Sequence, residues 1–586
     1  MNKQHSVGPN CISPSTSTAT PLHPDNIRLA ISRNNRFESP STPLSVVTEQ
    51  FAAMLQVDAE QPSTPHVLTA RDKKYDRQLR LWAANGQAAL EEAHVLLLTA
   101  SAAGAEILKN LVLPGTGSFT VADDKFVTED DIDSNFFLDD SSLGQPRAVK
   151  VTDFLQELNT DSMGHSQILN LKELDSMDSS YWESFSLVIA HQIRPSILMK
   201  VAKVLWDKKI PLVVSNSIGF YGYLRIVVPE HTVVESHPDS TVDLRLDCPW
   251  PALQNFADAV DLDALDETDH AHVPYVVILL KYLKQWRAEH GGNPPSTYAE
   301  KNQFKDLIRS GIRSSDSENF DEAIAAVLRA TQKTTVPIIS VLSDLRAQHL
   351  HENSTKFWIL VRAAADFVAK EGNLPLSGSL PDMKADSIRY IALQNVYRKK
   401  AEQDWDWVKD RVTELLSAID RPTDAISEDE VETFCKFSRY IVVIDGRSLE
   451  EEYNPETAKA TRILSALQEE NGLMPIYLGF RALEMFEERN RRYPGLLEDT
   501  GDDENELQSI ALEILKSLGG DSLGETAIKV LKEFVRAGNG ELHNISSLLG
   551  GFGAQEVVKL ITRQYVPMKN TVLFDGIQSK SDVWEL

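Results

Sequence analysis

The sequence predicts an α/β protein: a doubly wound, largely parallel sheet, interrupted by a long, mainly helical insertion and completed by the last stretch of chain. Three observations carry this. Residues 94–140, from HVLLLTASAAGAEILKNL onward, have the layout of a dinucleotide-binding strand, turn and helix. Short apolar runs then alternate with amphipathic helices as far as Pro229. A helix and a strand in the same style return after residue 546, beyond a stretch in which helical periodicity dominates.

The elements follow in order. Between residues 72 and 90, Tyr75, Leu79 and Trp82 recur at helical spacing, which turns Arg77 and Arg80 to other faces; Gly86 is expected to break or end this helix. A strand is expected over 95–98, leading into a loop of the GxGxxG kind. In such a loop the first glycine makes the tight turn and the second lets the backbone approach phosphates. Here those two places hold Thr99 and Ser101, and only the third, Gly104, survives. A side chain at each position puts atoms where a pyrophosphate would lie, so the fold is expected to persist and its ligand to be lost. Helices over 106–113 and 197–206, with strands over 119–122, 187–190, 212–215 and 223–228, complete this first part.

Around residue 237 the pattern changes. Val276, Leu280, Leu283 and Trp286 mark one amphipathic helix that ends before the GGNPP turn at 291–295, and Phe357, Trp358, Val361 and Ala364 mark another that ends near Gly372. Both aromatic stripes read as core. The acidic stretch 498–506 reads as a solvated loop. Ser546 and Ser547 are expected to cap a helix with Ala554, Val557, Val558 and Ile561 on one face, followed by a strand over 571–574. Four segments result: a disordered Ser/Thr/Pro-rich extension, 1–66; the first part of the sheet domain, 67–236; the helical insertion, 237–535; and the completion of the sheet, 536–586.

At 586 residues the chain is too long for one ordinary core. Its formal net charge of -27 would repel a phosphate backbone, which argues against nucleic acid as a partner. Cys11, Cys248 and Cys435 form no CxxC pair, so neither a thiolate zinc site nor a disulfide scaffold is expected, and reducing, intracellular conditions fit best. No apolar run approaches the roughly 18 residues of a membrane span. The first residues carry no hydrophobic signal core.

KYDRQLRLW (74–82), EILKNLVLPGTGSFT (106–120), DLRLDCPWP (243–251), DFVAKEGNLPLSG (366–378), RYPG (492–495) and LLGGFGAQEVVKLIT (548–562) occur in this order. Their order and spread resemble the activating-enzyme family for ubiquitin-like proteins, in particular the regulatory subunits of neddylation-activating enzymes. The resemblance implies a ThiF/MoeB-like, Rossmann-type adenylation fold in a heterodimer of two related halves. The catalytic subunit would bind ATP and Mg, adenylate the C-terminal glycine of the ubiquitin-like modifier and carry the cysteine that receives it as a thioester. This chain would be the degenerate half, with no catalytic residue, metal or cofactor of its own. Cytoplasm and nucleus are the expected compartments, and the conjugating enzyme is a further candidate partner.

The residues fit this implication by what they lack. Asp123 remains at the ribose-binding strand, but Lys125 stands where a second acidic residue is wanted. Ser134 and Asn135 run into Phe136-Phe137-Leu138, where active halves carry an arginine that neutralises charge on ATP; Arg147 takes the place of a lysine; and 188–195 (VIAHQIRP) offers no metal-binding carboxylate. The resemblance also implies that Arg77 reaches across the dimer to the partner's ATP, an arginine supplied in trans, with Arg80 the lesser candidate. Alternatives are the corresponding subunit for the SUMO modifier, a free-standing ThiF/MoeB-type adenylyltransferase and an NAD-dependent oxidoreductase. The last two need the loop that Thr99 and Ser101 interrupt. Cys248, between Asp247 and Pro249, and Cys435, in ETFCKF, read as structural thiols, and His231, His237, His270 and His272 lack the company of a ligand cluster. His543 beside Asn544 reads as turn chemistry.

Overall fold

Strands without polar alternation form the middle of the sheet, as expected where both faces are covered. β1 (His94–Leu98), β2 (Ser118–Ala122), β3 (Met163–Gln167), β4 (Leu187–His191) and β5 (Leu212–Ile218) run parallel. β6 (Tyr221–Val227) pairs antiparallel with β5, and a second ribbon joins β7 (Glu230–Val233) to β8 (Val442–Asp445). β9 (Thr571–Asp575) and β10 (Lys580–Trp584) extend the main sheet, whose order is β10-β9-β6-β5-β4-β1-β2-β3. The computed structural model describes residues 69–237, 242–497 and 500–586, so the expected extension, 1–66, and Cys11 lie outside the described residues.

α1 (Asp76–Glu92) breaks at Trp82 and Ala83, where Ala83 takes φ 55. The break was expected at Gly86, which instead lies buried within the second half of the helix. A Cβ there would stand 2.9 Å from Trp82 Cβ, so glycine is needed for close approach and not to end the helix. α2 (Ala102–Val112) and α3 (Arg147–Leu158) follow β1 and precede β3, and α4 (Pro195–Lys208) follows β4 with Pro195 in its first turn and Lys209 closing it in the left-handed conformation.

The insertion leaves the sheet domain through β7 and returns through β8. Arg346 fastens this ribbon, reaching Glu230 Oε2 at 2.7 Å and Asp445 Oδ1 at 2.6 Å with its guanidinium 4.4 Å from the centre of the Trp358 ring. Inside the insertion, α5 (Lys356–Glu371) and α6 (Ser387–Ala418) build a separate core with Phe357, Trp358, Val361, Phe367, Val408 and Val412. Among the described residues no helix is long and apolar enough to cross a membrane.

The expected insertion boundary, 237–535, needs correction. α7 (Met474–Asn490), α8 (Gly501–Ser517) and α9 (Glu525–Ala537) bury Phe480, Phe486, Leu507, Ile510 and Phe534 in one cluster with Val188, Val214 and Tyr223 of the main sheet. These helices are a layer of the sheet domain. The acidic stretch likewise turns out to contain the start of α8, in which Asp503 is buried and accepts from Arg492 at 2.6 and 2.7 Å and from Gly495 N at 2.7 Å. α10 (His543–Thr562) begins three residues before Ser546, so the two serines lie inside the helix and cap nothing. With α2 and α3 it covers the other face of the sheet, and Gly550 and Gly553 allow the approach. Cβ atoms there would meet Glu106 Cβ at 2.6 Å and Ile107 Cδ1 at 2.9 Å on α2.

Candidate functional site

β1 has β2 on one side and β4 on the other, so the direction of winding reverses there. A crevice at such a switch point, beyond the carboxyl ends of the strands, is where open α/β sheets bind ligands. Thr99 leaves β1 with φ 70, a conformation that an L residue adopts only under constraint. Two hydrogen bonds hold it: its N–H donates to Ala122 O at 3.0 Å and its Oγ1 to His191 O at 2.5 Å. The tight turn has therefore been kept without its glycine. Gly104 still serves close packing, since a Cβ there would stand 3.0 Å from Leu97 Cδ1 and from Thr99 O.

Ser101 is the N-cap of α2, yet its side chain makes no capping hydrogen bond. The free amides of the first turn donate instead to Glu541, Ala102 N to Oε2 at 3.0 Å and Ala103 N to Oε1 at 3.3 Å. This is the position at which a helix N-terminus receives a phosphate. Glu541 is delivered there by the turn after α9, where Gly219 N of the β5–β6 hairpin donates to Gly540 O at 2.8 Å. His191 Nε2, at the end of β4, lies 3.0 Å from Glu541 Oε1. Burial works against the Glu541 charge, but His191 and the two amides hold its carboxyl below the usual range. Sequence reasoning missed this residue.

Asp123, the acid that remains at the ribose-binding strand, and Arg147, in the place of a lysine, are paired with each other. Arg147 Nη2 stands 2.7 Å from Asp123 Oδ2 and its Nη1 2.6 Å from Asp131 Oδ1, and the Asp123 carboxylate also accepts from Ala100 N at 2.8 Å and Lys125 N at 3.0 Å. Against the pull of burial, Arg147 keeps the Asp131 carboxyl below its ordinary value. Asn135 turns inward, accepting from Phe137 N at 3.0 Å, and leaves Phe136 exposed. Lys125 is exposed. It and Arg194 act on Glu487 near the end of α7, whose carboxyl burial nevertheless pushes up to about 7.

Arg77 lies far from this closure in character. It is exposed on the first half of α1 and makes no ion pair or hydrogen bond among the described residues. Its neighbour Arg80 pairs with Asp76 of the previous turn at 3.1 Å. The short helical segment is held at both ends. Before it, Tyr75 OH donates to Asp161 Oδ2 at 2.9 Å; after it, Leu81 O and Trp82 O accept from Tyr565 OH at 3.2 Å and Gln564 Nε2 at 2.9 Å.

The remaining candidates fall into structural surroundings. Cys435 is buried in the helix Glu428–Phe437, and burial raises its thiol far above the usual range; Cys248 is exposed, with its thiol pushed up by partial burial and then by the Asp247 carboxylate. His270 stacks on Phe320 and His237 on Tyr565, while burial lowers His231 to about 4. His543 opens α10 with its Nε2 3.3 Å from Glu106 Oε1. Among the described residues no group of three or more His, Cys, Asp or Glu side chains is placed to hold a metal ion.

Residues 75–585 match the model of the ThiF family. The chain is 43% identical to a NEDD8-activating enzyme E1 regulatory subunit of Xenopus laevis, an alignment covering 89% of this chain and 99% of that one. A Gallus gallus protein of the same description is 41% identical, over 89% of this chain and 99% of its own length. The NEDD8-activating enzyme E1 regulatory subunit AXR1 of Arabidopsis thaliana is 40% identical, with 88% and 96% covered. These relatives do not favour the SUMO alternative.

Proposed function

The chain belongs to the ThiF family and, within it, to the regulatory subunits of the NEDD8-activating enzyme E1; from that premise we propose that it completes the active centre of a catalytic partner while running no reaction in its own cradle. The partner binds ATP and Mg, adenylates the modifier's C-terminal glycine and accepts it as a thioester. This chain supplies the second half of the dimer, holds the modifier against the insertion and lends Arg77 to the partner's ATP.

The observation that carries this reading is the contrast between Glu541 and Arg77. A nucleotide phosphate at the Ala102 and Ala103 amides would meet a carboxylate already hydrogen-bonded to both. Two unit charges about 4 Å apart repel by roughly 4 kcal/mol at an effective dielectric of about 20. Asp123, the residue suited to a ribose hydroxyl, is consumed by Arg147. Arg77, in contrast, is an exposed guanidinium on a segment fixed at both ends, the condition for an arginine that acts on a neighbouring molecule.

The test is ATP–pyrophosphate exchange and thioester formation with the co-expressed catalytic subunit. The wild-type dimer is expected to do both and the isolated chain neither. Arg77→Ala is expected to co-elute with the partner and to lower modifier adenylation at least ~10-fold. Undiminished adenylation by that dimer would overturn the role of Arg77, and exchange by the isolated chain would favour a self-sufficient adenylyltransferase.

A further inference from the structure

We propose that the crevice at the N-terminus of α2 is a phosphate-binding site still intact in its chemistry and kept closed by one side chain, Glu541, which acts as its built-in anion. The inference does not depend on the regulatory role or on Arg77. It starts from the geometry of what surrounds the carboxylate. Two backbone amides of an 11-residue helix converge on it. The imidazole of His191, fully buried, faces it with Nε2 3.0 Å from Oε1, and Ser101 Oγ, also buried, has no hydrogen-bond partner among the described residues. Helix amides, a buried imidazole and a free hydroxyl are the donor set of an oxyanion site. Without Glu541 the two amides and His191 Nε2 would lose the carboxylate they face, and Ser101 Oγ is already without a partner among the described residues.

Glu541 is also the one part of this arrangement that does not come from the parallel strands β1 to β5 and the helices between them. It arrives from the far side of the insertion, on the Gly538–Gly540 turn, and is held there by the contact between Gly540 O and Gly219 N. The turn's anchorage is backbone to backbone, so a change in the Glu541 side chain leaves it in place. Thr99 retains the left-handed turn that brings the backbone to the crevice, and its hydroxyl is directed to His191 O, away from the α2 amides. An inorganic phosphate could therefore take the volume and the donors that the carboxylate gives up.

The experiment uses the full chain and inorganic phosphate, read by thermal unfolding and by titration calorimetry against chloride at equal ionic strength. Wild type is expected to show no phosphate-specific shift. Glu541→Ala is expected to unfold at a lower temperature, to recover with phosphate in a saturable manner, and to bind phosphate about tenfold or more tightly than wild type. Glu541→Gln, which keeps the volume and an acceptor but not the charge, should lose stability without gaining phosphate binding. Glu541→Ser provides a second opened variant should the alanine chain fail to fold. A folded Glu541→Ala or Glu541→Ser chain that ignores phosphate would overturn the proposal, as would phosphate stabilising wild type to the same extent.

Discussion

Two arginines in the first half of the chain have opposite surroundings. Arg147 is nearly enclosed, its side chain 6% exposed, and spends its charge on Asp123 and Asp131 within the same subunit. Arg77 stands in solvent with no such partner among the described residues. One region of the fold has turned its charges on itself, and another keeps a charge available for something outside. In the enclosed region internal groups meet one another, Arg147 with Asp123 and Asp131, and Glu541 with the first amides of α2, which are contacts of the kind a bound nucleotide would otherwise make.

The strongest way to break this comparison is Arg147→Ala. It would leave the buried Asp123 carboxylate and the half-buried Asp131 carboxylate without their cation, a change expected to cost about 3–5 kcal/mol. Urea unfolding of the isolated chain measures it. A loss below ~1 kcal/mol would mean that water reaches these carboxylates and that the closure is loose.

Next in size is Gly550→Val. The added side chain would begin 2.6 Å from Glu106 Cβ and 2.9 Å from the Glu106 carbonyl carbon, on the helix whose N-terminus Glu541 caps. Forcing α10 off α2 is expected to destabilise the chain by about 1–3 kcal/mol, seen as a lower unfolding midpoint. Tolerance of valine without a shift would show that the two helices do not pack as tightly as the closed crevice requires.

How much of this could be read beforehand depended on distance along the chain. β1, β4 and β5 announced themselves because strands covered on both faces are continuous apolar runs, whereas the edge strand β3, MGHSQ, has no such run and went unseen. The altered loop was legible because Thr99, Ser101 and Gly104 lie within six residues of one another. The group that occupies its phosphate position was not: Glu541 is 439 residues from Ala102, and nothing local in GNGELHN distinguishes it from a surface glutamate. The insertion boundary was misplaced for a related reason. Helical periodicity marks which face of α7 or α9 is apolar but not whether that face meets another helix or the sheet.

A subtler probe is Glu487, near the end of α7, on which Lys125 and Arg194 act. Glu487 has its carboxyl raised to about 7 from an unfolded value near 4.5. Between those values the folded chain holds a proton that the unfolded chain has released, so this residue makes stability fall as pH rises from about 4.5 to 7, and the deficit is complete above 7. Glu487→Gln is expected to match wild type near pH 4 and to exceed it by on the order of 1 kcal/mol at pH 8, after allowance for its partial exposure. Urea midpoints across that range decide it. A difference that stays constant with pH would remove Glu487 as the titrating group.

The smallest expected change in stability is the one that sharpens the comparison most. Arg77 makes no contact whose loss would be felt by the isolated chain, so Arg77→Ala should alter its unfolding free energy by no more than ~0.5 kcal/mol. The same substitution in the dimer is expected to depress adenylation, giving a residue silent in its own subunit and active in the assembly. Arg80→Ala is the control, since its i,i+4 pair with Asp76 is exposed and such pairs contribute only about 0.3–0.5 kcal/mol. A loss of several kcal/mol from Arg77→Ala in the isolated chain would place that side chain in an intramolecular role, and the opposition between the enclosed and the free arginine would collapse.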